Sequence, residues 1–110
     1  MKSSMVSSGT NTAPLPQLHE GLSRDELLRL YRTMLLSRRL DDKEIQFNNQ
    51  SKSFFQISAA GHEAIQVAAG MQLEPGRDWF FPYYRDQALA IALGVSPEDL
   101  LLEAVGSSDA

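Results

Sequence analysis

The pair Tyr84-Arg85 carries the clearest chemistry in the sequence, because it follows an aromatic run and precedes small apolar residues that predict a helix. A helix start offers unpaired backbone N–H groups and a partial positive charge. Tyr84 adds a hydroxyl group, and the Arg85 guanidinium adds donors whose planar arrangement suits phosphate oxygens. The pair therefore predicts an anion site for a phosphate or diphosphate group. An arginine paired with a nearby carboxylate, beside a half-buried tyrosine, is the alternative.

His62 is the other residue whose type permits catalysis, since histidine titrates near neutral pH and transfers protons. The alternative is a histidine that hydrogen-bonds to backbone or solvent at the start of a helix. The chain has two histidines and no cysteine, which excludes disulfides and thiolate metal sites and predicts no transition-metal site. The lack of cysteine is compatible with a cytoplasmic location.

Composition narrows the class of protein. A chain of 110 residues with 43% hydrophobic residues suffices for one small domain with a core. The net charge of −4 argues against nonspecific binding to nucleic acid, which needs a basic patch. No apolar run approaches the ~20 residues needed to cross a membrane, so no membrane partner is expected.

Helices are predicted on both sides of the candidate residues. A capping box at Ser23 and Glu26 begins a long helix that runs to about Asn48, and its apolar surface is wide enough for more than one neighbour. A second helix opens at Gly61-His62-Glu63-Ala64 and runs to about Met71. The helix that the Tyr-Arg pair opens stops at Gly94, and Ser96 caps a fourth helix with Pro97 at its first position.

The segments between the helices are predicted from their turn residues and aromatic content. Residues 54–57 predict a short buried extended segment, a strand or loop rather than a helix, and residues 79–82 predict a second extended segment. Pro75 and Gly76 suit a type II turn. Residues 1–21, rich in Ser, Thr, Asn and Pro, predict a disordered lead-in, with docking on a partner as the alternative. The charges of residues 38–44 predict a solvated helix face, although an interface would show the same pattern.

Four motifs in order give the chain a resemblance to a known family. The chain is similar, over about residues 22–109, to the alpha-type half of thiamine diphosphate-dependent 2-oxoacid dehydrogenases, the first components of the pyruvate and branched-chain complexes. It looks closest to bacterial members that fuse the alpha-type and beta-type halves. The motifs are Tyr31-Arg32-Thr33-Met34-Leu35-Leu36-Ser37-Arg38-Arg39, Gly61-His62-Glu63-Ala64, Pro82-Tyr83-Tyr84-Arg85-Asp86 and Gly94-Val95-Ser96-Pro97.

The resemblance implies a cofactor role and a reaction. In the family the Tyr-Arg pair contacts the diphosphate, so the resemblance assigns Tyr84 and Arg85 to thiamine diphosphate. It implies oxidative decarboxylation of a 2-oxoacid, with the cofactor as electron sink and the acyl group passed to a lipoyl carrier. Ile57 stands where pyruvate-specific members have a histidine, which favours a branched-chain substrate over pyruvate.

The resemblance also implies an architecture and partners. The complete family domain is α/β, with a parallel sheet between helices, whereas this piece is expected to be mainly helical with short extended segments. The implied partners are the beta-type half, fused or separate, and the lipoyl acyltransferase component, in a dimer or heterotetramer. The Gly-Asp-Gly stretch that holds Mg²⁺ in the family is absent, so the metal ligands are expected outside this piece.

Two consequences follow from that missing stretch. The chain is expected to be an N-terminal piece, residues 22–110, of the alpha-type domain, with exposed apolar faces and no activity alone. The alternative is a helical interaction module without catalysis. A phosphate-binding domain unrelated to thiamine would need a Gly-rich phosphate loop, which the sequence lacks.

Overall fold

Four helices make up the described part of the chain. The computed structural model describes residues 21–109, in which α1 (Arg24–Asn49), α2 (Glu63–Gly70), α3 (Gln87–Ala92) and α4 (Pro97–Ala104) follow in order. Within that range there is no strand, only an isolated bridge between Pro75 and Asp78. The prediction of a mainly helical piece is confirmed. The predicted lead-in, apart from Gly21, lies outside the described residues.

α1 begins where its capping box predicts. The Ser23 N–H donates to Glu26 Oε2 at 2.8 Å, and the Glu26 N–H donates to Ser23 Oγ at 3.2 Å. These reciprocal bonds satisfy backbone donors that a helix start leaves unpaired. At the other end the Lys52 N–H donates to the Phe47 carbonyl at 2.8 Å, which closes the helix close to the predicted position.

α2 and α3 lie very close together because Gly70 has no side chain. A Cβ atom placed on Gly70 would come within 2.5 Å of the Ala92 Cβ. α1 packs across both helices and also contacts α4. The apolar core at this crossing is small, and its buried members are Leu40, Ala59, Val67 and Ala88.

Short-range signals set the remaining turns. The Arg77 N–H donates to the Glu74 carbonyl at 3.1 Å, and Gly76 has a φ of +88°, as a type II turn requires. The Ser96 side chain accepts from the Asp99 N–H at 3.1 Å, so Ser96 and Pro97 begin α4 as predicted.

The two aromatic segments, residues 54–57 and 79–82, are loops in the structure, and only the predicted burial of the first is wrong. Phe54 is 90% exposed, and in the second segment Trp79 and Phe81 are 89% and 93% exposed. An extended segment is buried only when strands or helices cover it, and residues 21–109 offer no sheet. The expected exposure of apolar helix faces is found on α1, at Leu35, Leu36 and Ile45, and the exposed rings of these two loops add to it.

Candidate functional site

Tyr84 and Arg85 lie in a tight turn that precedes α3. The Asp86 N–H donates to the Tyr83 carbonyl at 2.9 Å, and the Tyr83 N–H donates to Asp86 Oδ2 at 2.8 Å. α3 begins only at Gln87, so the prediction that the pair itself opens the helix is wrong by two residues. The Asp86 side chain closes this turn by accepting a hydrogen bond from the Tyr83 N–H. The turn holds Tyr84 and Arg85 just before the first residue of α3.

Arg85 is half-buried and its guanidinium is fixed by a backbone oxygen. Arg85 Nη1 donates to the Ser58 carbonyl at 2.8 Å, which is the side chain's one hydrogen bond within residues 21–109. In the same range no carboxylate forms an ion pair with it, so the alternative of a carboxylate-paired arginine is not found. The other guanidinium N–H groups have no hydrogen-bond partner within residues 21–109.

Asp41, a residue of α1, binds the loop that contains Ser58. Its Oδ2 accepts from Ser58 Oγ at 2.7 Å and from the Ala59 N–H at 3.0 Å. Asp41 is 2% exposed, and its Oδ1 has no hydrogen-bond partner among the described residues. A carboxylate from α1 therefore anchors the loop whose carbonyl group receives Arg85.

Gln66 holds the backbone of the Tyr-Arg turn. From the middle of α2 its Nε2 donates to the Arg85 carbonyl at 2.9 Å and to Asp86 Oδ1 at 3.3 Å. Its Oε1 accepts from the Leu89 N–H at 3.4 Å. We call Asp41, Ser58, Gln66, Arg85 and Asp86 the polar junction, because these residues join α1, α2 and α3 through hydrogen bonds.

The Tyr84 ring lies close to two other aromatic rings and to the Arg85 guanidinium. Its ring is tilted on that of Tyr83, with centroids 4.0 Å apart, and it meets Phe55 edge to face at 6.2 Å. The Arg85 guanidinium lies 5.3 Å from the Tyr84 ring centroid. The Tyr83 hydroxyl, followed by the Arg85 guanidinium, lowers the pKa of Tyr84, which suits a hydroxyl that donates to an anion.

A groove of about 730 Å³ runs beside this turn, and it contains two of the predicted site residues. Ile57 and Tyr84 both line it, together with Phe54, Phe55 and Pro82 on an apolar wall. Glu44 and Gln87 supply polar lining, and Gln87 Nε2 donates to Glu44 Oε1. Burial raises the pKa of Glu44, and the Gln87 bond opposes that shift.

His62 does not reach the groove. It is exposed, precedes α2 and makes no side-chain capping bond, while its N–H donates to the Ala59 carbonyl at 3.1 Å. Its neighbour Glu63 is buried instead: Glu63 Oε1 accepts from Arg38 Nε at 2.7 Å, and Oε2 accepts from the Gly61 N–H at 2.8 Å. The Arg38 bond lowers the pKa of Glu63.

Sequence reasoning missed most of the polar junction. The predicted solvated face is wrong for Asp41 and Glu44, which are buried, although Arg39 and Asp42 form an exposed pair at 3.5 Å. Two signals in the sequence point to the junction. Ser37, Asp41 and Glu44 recur at helical spacing on one face of α1, and Gln66 is the one polar residue of α2 after Glu63, in an otherwise apolar stretch.

The described residues contain neither a metal-binding cluster nor a membrane-spanning helix. No group of three or more His, Cys, Asp or Glu residues between 21 and 109 is placed to hold a metal ion. In the same part of the chain, no helix is long and apolar enough to cross a membrane.

Comparisons with known proteins agree with the motifs. A family model described as the dehydrogenase E1 component matches residues 31–110. The chain is 40% identical, over 82 residues, to the 2-oxoisovalerate dehydrogenase subunit alpha of Bacillus subtilis, covering 74% of this chain and 25% of that protein. It is 40% identical over 81 residues to the pyruvate dehydrogenase E1 component subunit alpha of Mycoplasma pneumoniae, covering 74% and 22%.

A third relative shows the same partial coverage. The 3-methyl-2-oxobutanoate dehydrogenase subunit alpha of Mycobacterium tuberculosis is 33% identical over 89 residues, 81% of this chain and 24% of that protein. The chain thus spans about a quarter of the length of the curated relatives it matches. No solved structure gives a significant match. Because the family model covers most of its residues, the chain belongs to the dehydrogenase E1 component family.

Proposed function

We propose that this chain contributes the diphosphate-binding turn of a thiamine diphosphate-dependent 2-oxoacid dehydrogenase. The observation that carries the proposal is Arg85, whose backbone and side chain are both fixed by hydrogen bonds while most of its guanidinium N–H groups have no partner in residues 21–109. Membership of the E1 family and the names of three relatives support the same reaction class.

Tyr84 and Arg85 fit a diphosphate group by their chemistry. Arg85 supplies charge-assisted hydrogen bonds to phosphate oxygens, and Tyr84, a residue that is 48% exposed, supplies a hydroxyl donor. When bound, thiamine diphosphate supplies the electron sink for decarboxylation. The protein's part, in our proposal, is to hold the diphosphate end so that the reactive end reaches the 2-oxoacid.

Mg²⁺ does not fit the described residues in the same way. Asp86 binds Tyr83 and Gln66, one oxygen of Asp41 binds Ser58 and Ala59, and no group of three or more His, Cys, Asp or Glu residues between 21 and 109 is placed to hold a metal ion. We therefore propose that residues outside 21–109 supply the metal ligands. We propose further that a beta-type half, a lipoyl acyltransferase component and a dimeric or heterotetrameric assembly complete the enzyme in the cytoplasm, and that the 110 residues alone are inactive.

Ile57 supports a branched-chain 2-oxoacid as the substrate. It lines the apolar wall of the groove near Phe55 and Tyr84, where a branched acyl group would bury apolar surface. We expect Ile57→His in the complete enzyme to shift the ratio of kcat/KM for 3-methyl-2-oxobutanoate over pyruvate by about 10-fold towards pyruvate. Ile65→His, at an exposed position of α2, is the matched control, and equal ratios in both variants would contradict the assignment.

Cofactor titration tests the diphosphate role. In the complete enzyme with Mg²⁺, calorimetry should show that Arg85→Ala weakens thiamine diphosphate binding by about 1.5–3 kcal/mol, as expected for a charged hydrogen bond. Arg77→Ala, on an exposed arginine that pairs with Glu74, should leave the affinity unchanged. Equal binding with and without Arg85 would show that the family role does not transfer to this residue.

A further inference from the structure

We propose that Asp41 is a positioning residue for Arg85, acting through the main chain of Ser58. The inference deepens the proposed function and rests on it, because it concerns how the diphosphate-binding guanidinium is aimed. Asp41 itself does not contact Arg85 in the hydrogen bonds of the structure; its effect passes through one intervening residue.

The contacts form a continuous chain from α1 to the guanidinium. Asp41 Oδ2 accepts from both Ser58 Oγ at 2.7 Å and the Ala59 N–H at 3.0 Å, so it holds the peptide unit between these residues at one end. The Ser58 carbonyl belongs to that same peptide unit and accepts from Arg85 Nη1 at 2.8 Å. Because a peptide unit is planar, fixing its N–H group also fixes the direction of its C=O group.

Burial makes this contact rigid. Asp41 is 2% exposed, and a charge-assisted hydrogen bond in a water-poor site is stronger than a neutral one. The second oxygen, Oδ1, has no hydrogen-bond partner within the described range. Burying a carboxylate with one oxygen unpartnered lowers stability, so an apolar residue would suit a purely structural role better.

The side chain and the backbone of Arg85 have separate supports. Gln66 donates to the Arg85 carbonyl and therefore fixes the turn, but it does not contact the guanidinium. The guanidinium is planar, so fixing Nη1 on the Ser58 carbonyl restricts where its remaining N–H groups point. Removing Asp41 should thus loosen the guanidinium while Gln66 keeps the turn in place.

A double-mutant cycle measures this coupling. The complete enzyme is titrated with thiamine diphosphate and Mg²⁺ as wild type, Asp41→Ala, Arg85→Ala and the double variant. We expect Asp41→Ala to weaken binding about 10-fold when Arg85 is present and less than about 2-fold when Arg85 is alanine. A residue that merely stabilises the fold would weaken binding by the same factor in both backgrounds, and that result would overturn the proposal.

Three further variants control for misfolding of Asp41→Ala. Asp41→Asn keeps the shape and one acceptor oxygen, so it should restore most of the affinity that Asp41→Ala loses. Ser58→Ala removes the Oγ contact without touching the carboxylate and should reproduce part of the loss, again only with Arg85 present. Asp42→Ala, on the exposed neighbouring residue, should bind like wild type. If Asp41→Ala does not fold, the same cycle is run with Ser58→Ala, and independence from Arg85 would refute the inference.

The outcomes also separate the two proposals. If Arg85→Ala weakens binding but neither Asp41→Ala nor Ser58→Ala does, the diphosphate role of Arg85 stands and the positioning role of Asp41 is wrong. If Arg85→Ala leaves binding unchanged, the proposed function of Arg85 fails and the positioning role falls with it.

Discussion

The polar junction and the aromatic segments lie next to each other and differ in almost every physical respect. In the junction, charged and amide groups such as Asp41 and Gln66 are buried and make hydrogen bonds across α1, α2 and α3. In residues 54–57 and 79–82, large apolar rings are exposed. Buried polar groups and exposed aromatic groups reverse the usual arrangement of a folded protein. Buried polar groups are common at functional sites, and exposed apolar patches are common at interaction surfaces.

The contrast in hydrogen bonding shows which part of the candidate site is held in place by the described residues themselves. Hydrogen bonds within residues 21–109 fix Arg85, so the turn that we propose as the diphosphate site is formed by these residues themselves. The rings of Phe54, Trp79 and Phe81 have no comparable cover. Stability changes at the two regions should therefore differ in size. Gln66→Leu and Phe81→Ser test that contrast directly, and variants at Gly70, Glu44 and Glu63 test the packing and buried charges of the helices that carry the junction.

Replacing the central amide of the junction should have the largest effect. Gln66→Leu leaves the Arg85 carbonyl and the Leu89 N–H without their side-chain partners, so we expect a loss of about 2–3 kcal/mol in the free energy of unfolding. Urea denaturation measures it. Gln72→Leu, on an exposed glutamine just after α2, is the control, and a similar loss in both would contradict a special role for the junction.

Separating α2 from α3 should have the next largest effect. Gly70→Ala places a Cβ atom 2.5 Å from the Ala92 Cβ, so one helix must move and about 1–2 kcal/mol of stability should be lost. An alanine in a helix normally stabilises relative to glycine, which makes the expected sign diagnostic. Ala69→Ser, on the exposed face of the same turn, should change little. A stabilised Gly70→Ala variant would show that the helices are not in close contact.

The two buried glutamates should respond to pH in opposite directions. The Arg38 bond lowers the pKa of Glu63, so its stabilisation is present above the ordinary value of 4.5 and is lost as the pH falls through the lowered value. Burial raises the pKa of Glu44, so its protonated form stabilises the fold and that contribution is lost as the pH rises through the raised value. Urea denaturation from pH 3 to 7, roughly the carboxyl range, measures both slopes.

Glutamine variants separate these two contributions. Glu63→Gln should weaken the fall in stability at acid pH, and Glu44→Gln should remove a fall that occurs towards neutral pH. Parallel pH profiles for the two variants would contradict the opposite environments of Glu44 and Glu63.

Changes in the aromatic segments should affect stability least. Phe81 is 93% exposed, so Phe81→Ser should alter the free energy of unfolding by no more than about 0.5 kcal/mol. The same variant should reduce self-association of the chain, measured by analytical ultracentrifugation, because it removes exposed apolar surface. A loss of stability similar to that of Gln66→Leu would show that the ring is covered.

The sequence predicts the helices better than the site, for a physical reason. The cap at Ser23, the Pro97 start and the Gly76 turn depend on neighbours within a few residues, and all three are confirmed. Burial of residues 54–57 depends on distant segments, and that prediction is wrong. Asp41 looked like a surface charge because its partners Ser58 and Ala59 are far along the chain.

The candidate site shows the same division. The structure places Tyr84 and Ile57 in one groove, which the sequence did not predict, while His62 lies outside it and its catalytic role has no support from the geometry. The roles of Tyr84, Arg85 and Ile57 stay predictions. The pairing of the junction is seen only in the structure, because helical spacing can mark Asp41 as a buried position but a hydrogen bond between residues 41 and 58 leaves no local pattern.

Hydrogen exchange tests most directly whether the junction forms Arg85's surroundings before any cofactor binds. The complete enzyme is compared without and with thiamine diphosphate and Mg²⁺, with attention to the amides of Ala59 and Leu89, which donate to Asp41 and Gln66. The account predicts that both amides are already protected without cofactor and that residues 83–86 gain protection when it binds. Rapid exchange at Ala59 and Leu89 until cofactor is added would contradict a preformed site.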